Sequence, residues 1–231
     1  MIYSVHQPHY LPYPGYLAKV ALSDVFVFLE EVQYVKREWQ NRNKVKSPQG
    51  TAWLTVPVKG EYKSRICDMT IDQETNWLGK HEATLNNFYS KAEYASEIKG
   101  FLEIINRPHK WLSELTIATT SYLLDAFGIN TRRYIQSEFN PLSPNPNQRI
   151  VEIGNKLGAD TYLAGIGGKN YMDVALFNEA GIEVKFLEMP IIEYPQLNGE
   201  FIPHLGSIDL LLNTGTEGYF QHIHDNLKEI F

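Results

Sequence analysis

Apolar positions fall into short strand-like runs toward both ends of the chain and into longer helical periodicities in the middle. Ile2 to Val5 reads as a first strand. It leads into His6 to Tyr16, where Pro8, Pro12, Pro14 and Gly15 forbid regular structure and set a stiff path. Tyr16 to Leu22 fits a short helix with Pro14 and Gly15 near its start. Ser23-Asp24 then breaks to Val25–Leu29, a continuous run of β-formers expected of a buried parallel strand. Strand, loop, helix and strand within about thirty residues make a βαβ unit, and its first loop lies at the carboxyl edge of the sheet, where open α/β folds hold ligands.

Further along, Trp53 to Val58 and Ile66 to Ile71 read as partner strands around a polar turn. Asn76 to Tyr89, Ala92 to Asn106 and Leu112 to Phe127 carry helical periodicity, the last ended by Gly128. Thr131 to Gln136 is a further strand, Pro141 to Pro146 a rigid loop, and Gln148 to Leu157 a helix stopped at Gly158. Thr161 to Ala164 is a strand opening into Gly165-Ile166-Gly167-Gly168-Lys169, followed by a helix from Asp173 to Ala180 and a strand from Glu183 to Leu187. The pattern predicts an α/β fold with a mainly parallel sheet, βαβ units at both ends and a helical middle. No repeat or low-complexity linker divides it, so residues 1–231 are expected to form a single domain.

A chain of 231 residues buries a sizeable core without disulfides or structural metal. The net charge of −6 argues against a general nucleic-acid binder, which needs a basic face for phosphate. The single cysteine, Cys67, excludes an internal disulfide and a cysteine-rich zinc site, and its place in a strand-like stretch suggests a packing role, since cysteine is among the most buried residue types. The first ten residues lack the basic n-region and apolar run of a secretory signal. No apolar stretch approaches a membrane span, so a cytoplasmic location is expected.

His6 and Gln7 stand where the first strand meets the proline loop, and an imidazole there can exchange a proton near neutral pH while the carboxamide orients a substrate. From Lys36 to Lys46 the chain carries five cations, and Asn41-Arg42-Asn43-Lys44 offers two amides, a guanidinium fork and an ammonium suited to phosphate or carboxylate. Trp39 beside them can stack on a base or sugar. The glycine-rich turn before Lys169 can bring backbone amides to a phosphate, although it matches neither the P-loop nor the dinucleotide fingerprint. His81 and His109 have no metal-triad spacing, no metal site is expected, and no motif names a cofactor.

Taken together, several of these blocks resemble the WbqC-like family of surface-polysaccharide gene clusters. They are His6-Gln7-Pro8 with Tyr10-Leu11-Pro12 and Gly15-Tyr16, then Asp24 to Val27, Gln33-Tyr34 and Asn41 to Lys44. Trp53 to Val58, Trp77 with Lys80-His81, Leu157 to Leu163, Gly168-Lys169 with Tyr171, and Ser207 to Leu211 with Asn213 and Gly215 extend the likeness. One departure is Gly206, which separates Leu205 from Ser207 where the family pattern sets Leu and Ser together. The resemblance implies transfer of a glycyl or similar acyl unit onto an amino sugar or sugar nucleotide. The donor would be a carrier-bound thioester, an aminoacyl-tRNA or an adenylate.

On that reading His6 and Gln7 are the catalytic pair. Tyr10, Tyr16, Asn41, Arg42, Lys44, His81 and Lys169 are the substrate-binding positions. Two other readings stand beside it. One is an ATP-using nucleotidylyltransferase or ligase, suggested by the strand and loop order at the start of the chain. The other is a non-catalytic sugar-nucleotide-binding protein.

Overall fold

The structure is a computed structural model that describes residues 1–61, 63–189, 191 and 193–224. In chain order the elements are β1 (Ile2–His6), α1 (Pro14–Ala21), β2 (Val25–Phe28), β3 (Arg42–Ser47), β4 (Gly50–Thr55), β5 (Val58–Lys59), β6 (Thr70–Ile71) and α2 (Trp77–Tyr89). Then come α3 (Glu97–Ile105), α4 (Leu112–Ala126), β7 (Arg132–Ile135), α5 (Pro146–Leu157), β8 (Thr161–Gly165), α6 (Val174–Glu179), β9 (Glu183–Leu187) and α7 (Ser207–Thr214), with short 3-10 turns between. The chain divides into two compact units, each built from separate stretches of sequence. One comprises Met1–Gln7, Ala18–Glu31 and Asn130–Pro190; the other comprises Pro8–Leu17, Val32–Ile129 and Ile191–Phe231.

The first unit is the expected α/β sheet. Its five strands lie in the order β7-β2-β1-β8-β9, and every neighbouring pair is parallel. Val25–Phe28 is buried at every position, as its unbroken apolar run requires. Tyr3, Val5, Val27, Tyr162 and Ala164 pack with Val151 and Ile153 of α5 and Phe177 of α6 into one core. Asn145 caps α5 by accepting from the amides of Asn147 and Gln148, with Pro146 in the first turn, and Gly158 closes it in the left-handed conformation. β8 and β9 occur where the sequence places them.

Numbered by appearance, the strand order is 3-2-1-4-5. The chain leaves β1 toward β2 on one side, while β8 lies on the other, so the carboxyl ends of β1 and β8 flank the topological switch point of the sheet.

The second unit holds the helical middle, α2 to α4, together with α7 and two antiparallel strand pairs, β3–β4 and β5–β6. Here the sequence reading needs correction. The segment 42–47, which lacks apolar alternation, is a strand paired residue for residue with β4 from Arg42↔Thr55 to Ser47↔Gly50. Ile66–Asp68, with half-buried Cys67, is a 3-10 turn rather than strand. α3 begins at Glu97 rather than Ala92, and α7 has no counterpart among the expected elements. Tertiary contacts decide β3, because its buried side chains are Asn43, Val45, Lys46 and Ser47, mostly polar rather than a run of β-branched ones. Among the described residues, no helix is long and apolar enough to cross a membrane.

Candidate functional site

In the first unit, a cavity of about 370 Å³ opens at the switch point and is lined by His6, Gln7, Lys19, Tyr162, Gly165 and Gly167, among others. His6 is the last residue of β1. Its Nδ1 lies 3.0 Å from the backbone oxygen of Gln7. A carbonyl oxygen only accepts, so that contact places a hydrogen on Nδ1.

Lys19 approaches the same cavity from α1. It is 7% exposed. Its ammonium donates to the Val5 carbonyl at 2.8 Å and sits 6.0 Å from the centre of the Tyr162 ring. Burial pulls the Lys19 amine down to about 7, because the charged form loses its hydration. Sequence reasoning passed over this residue, since a helical lysine is usually solvated. The signal was present: Leu17, Ala18, Val20 and Ala21 leave Lys19 as the one charge in an otherwise apolar turn, and a helix apolar all round is buried. Lys169 is on the turn after β8, exposed, with its ammonium 5.5 Å from the Phe186 ring centre.

The proline loop enters the second unit after Gln7. Its prolines have no N–H to give, so its carbonyls must find donors elsewhere. Thr120 Oγ1 donates to His9 O at 3.2 Å, Asn43 Nδ2 to Leu11 O, and both the amide and the hydroxyl of Ser207 to Pro12 O at 2.9 and 2.7 Å. The Tyr10 amide donates to Trp39 O at 3.1 Å. Motifs far apart in sequence thus hold one loop. Gly206 belongs to the same clamp: a Cβ there would meet Leu11 O at 2.9 Å, so the position has a steric reason to be glycine.

Tyr10 is buried with its hydroxyl 3.0 Å from His81 Nδ1, and His81 stands edge-on to Trp77 with ring centres 5.1 Å apart. Burial lowers the His81 imidazole to about 4. Tyr16 is buried against His9, with ring centres 5.5 Å apart. Asn41 is also buried, and its Nδ2 donates to Val56 O at 2.7 Å.

Arg42 and Lys44, two apart on β3 and so on one face, cover the Trp53 ring at 4.2 and 5.1 Å from its centre. Arg42 also donates to Arg37 O. Asn41 Oδ1 and Arg42 Nε are buried without a hydrogen-bond partner among the described residues. Beside them, a second cavity of about 240 Å³ is lined by His9, Tyr13, Trp39, Asn43 and His204. Its His9 imidazole is driven down to about 4 by burial and is neutral across the physiological range. Leu11, Arg37 and His204 all hold positive φ, at 50°, 71° and 58°, a conformation that side-chain-bearing residues keep only when their surroundings impose it.

The five parallel strands and their order define the first unit as a Rossmann-type α/β layer, with a cavity at its switch point. The chain belongs to the WbqC-like protein family, whose model matches residues 7–220. It is 32% identical over 219 residues to the uncharacterized protein Rv1507c of Mycobacterium tuberculosis, an alignment covering 93% of this chain and 94% of the relative. No solved structure matches it.

Proposed function

We propose that the chain is a transferase that joins an acyl or aminoacyl group, of the glycyl type, to the amine of an amino sugar or sugar nucleotide in surface-polysaccharide assembly. The observation that carries the reading is the switch-point cavity, where a strand-end histidine whose Nδ1 faces the Gln7 carbonyl adjoins a carboxamide. His6 Nε2 takes the proton of the incoming ammonium. The freed amine attacks the donor carbonyl, the C–N bond forms, and the bond to the thiol, ribose oxygen or adenylate breaks, its electron pair leaving with that group, which carries off the second proton given up by the nitrogen as the amide forms. Gln7 orients the substrate.

Arg42 and Lys44 offer a cationic, aromatic-backed surface for the phosphates of a sugar nucleotide, and the unpartnered Arg42 Nε and Asn41 Oδ1 supply further polar groups. Lys169 is a solvent-side cation for the same class of ligand. Tyr10, Tyr16 and His81 are buried and act on ligand through the loop that they support.

His6→Ala is expected to lower turnover roughly a hundredfold or more while leaving affinity nearly intact, and to remove one ionisation from the pH–rate profile. Wild-type turnover and pH profile in that variant would remove His6 as the base. The 3-2-1-4-5 strand order favours one second reading, an ATP-using nucleotidylyltransferase or ligase. Pyrophosphate release that depends on ATP and Mg²⁺, in the absence of any preformed acyl donor, would select it.

A further inference from the structure

Lys19 is a buried amine without a counter-ion. Among the described residues its ammonium has no ion-pair partner, and no aspartate or glutamate lines the cavity that it faces. The titratable groups that share the cavity are His6, Tyr162 and Tyr171. None of them is a carboxylate. A buried charge left unpaired costs several kcal/mol, and one carbonyl, Val5 O, uses only one of the three hydrogens that an ammonium carries.

Gly165 and Gly167 line the same cavity. A Cβ at either would meet nothing within 4 Å, and Gly165 has an ordinary extended conformation, φ −70° and ψ 154°. Neither packing nor backbone geometry requires glycine at 165, and packing does not require it at 167. What the missing side chains preserve is room in the cavity next to the backbone.

We propose that Lys19, with the open backbone at Gly165 and Gly167, forms an oxyanion site for a phosphoryl group of the bound ligand. No motif in the sequence points to Lys19. The site lies in the cavity assigned above to the transfer step and rests on that cavity being the ligand-binding one, yet it is read by binding alone, whatever reaction follows. The anion supplies the missing charge, and Lys19 is fully protonated in the complex. Above pH 7 the free amine is largely neutral, so binding takes up a proton there. Affinity therefore weakens by up to tenfold for each pH unit above that point.

Calorimetric titration of the full chain tests this, with pyrophosphate as the affinity probe. Sulfate, whose charge is constant between pH 6 and 9, is the probe of the pH slope. At pH 8, sulfate binding measured in two buffers of different ionisation enthalpy should show proton uptake. Lys19→Met should lose tenfold or more in affinity and abolish the slope seen with sulfate. Gly167→Val should lose affinity by occupying the same space while keeping Lys19.

A Lys19→Met protein that melts no lower than wild type shows that lost binding is not lost folding. Equal affinities in wild type and Lys19→Met, a flat sulfate profile in the wild type, or no pyrophosphate binding at all would each overturn the site. Acetate binding as tightly as pyrophosphate would overturn the phosphoryl assignment in favour of a carboxylate. The site survives a failed His6→Ala experiment, and His6 catalysis survives a failed Lys19 titration, so the two readings fall separately.

Discussion

Lys19 in the sheet unit and Lys46 in the helical unit are 7% and 1% exposed, and the surroundings of each differ in one decisive respect. Lys46 Nζ donates to Gln196 Oε1 at 3.1 Å and to the Glu200 carbonyl, and its own amide donates to the Tyr89 hydroxyl at 2.9 Å. That hydroxyl donates to Asp209 Oδ1, and Tyr194 donates to Asp209 Oδ2 at 2.8 Å. Burial raises the Asp209 carboxyl above the ordinary carboxylate range, and the tyrosine hydroxyls offset part of that rise. The network is closed on itself, with polar groups joining a hairpin strand, the loop before α7 and two helices. Among the described residues, Lys19 has a single carbonyl, the Tyr162 ring with its centre 6.0 Å away, and a cavity.

Buried polarity thus serves architecture in one unit and leaves an unmet requirement in the other, and an unmet requirement at a switch point is what a ligand satisfies. The basic run from Lys36 to Lys46 shows why charge counts alone mislead: its last member is a core residue, while Arg42 and Lys44 cover an indole.

The comparison can be broken first at Asp209. Asp209→Ala removes a carboxyl held by two tyrosine hydroxyls and leaves both without an acceptor. It should cost about 3 kcal/mol or more in urea unfolding, read as a lower midpoint at unchanged slope. A loss under 1 kcal/mol would mean that the network is not structural.

The next effect has the opposite sign. The Lys19 amine is lowered in the folded state, from 10.5 to about 7. Between those values the unfolded chain holds a proton that the native state has released, so stability rises with pH across that window, and the cost of Lys19 is fully present below pH 7. Lys19→Met should therefore stabilise the protein at neutral pH by about 2 kcal/mol, and the gain should fade toward pH 10. Destabilisation at pH 7 would place Lys19 with Lys46 as a structural lysine.

The smallest effect concerns the loop clamp. Gly206→Ala sets a methyl against Leu11 O and should cost about 1–2 kcal/mol, raising proteolytic cleavage within residues 8–16 more than elsewhere. Uniform protection would show that the clamp gives way without loosening the loop.

Much of the sheet unit is readable from sequence because its rules are local. Val25–Phe28 is apolar without interruption, Gly158 ends a helix, and β9 follows a glycine turn, so each element declares itself within a few residues. The position of His6 and Gln7 at a strand's carboxyl end was legible for the same reason. β3 was not, because its inward Asn43 looks like a loop residue until Leu11 O, thirty-two positions earlier, is brought to its side chain. α7 escaped likewise: Ser207 and Asp209 are polar at helix positions that become fully buried only when Pro12, Tyr89 and Tyr194 arrive as partners.

By itself, then, the sequence determined the parallel α/β layer, the proline loop, the family and the strand-end histidine, since apolar periodicity and fixed φ angles act over a few residues. Tertiary structure alone decided which polar side chains are satisfied by distant backbone and which, like Lys19, face a cavity. The worth of a buried polar group depends on partners that the chain brings together only when folded.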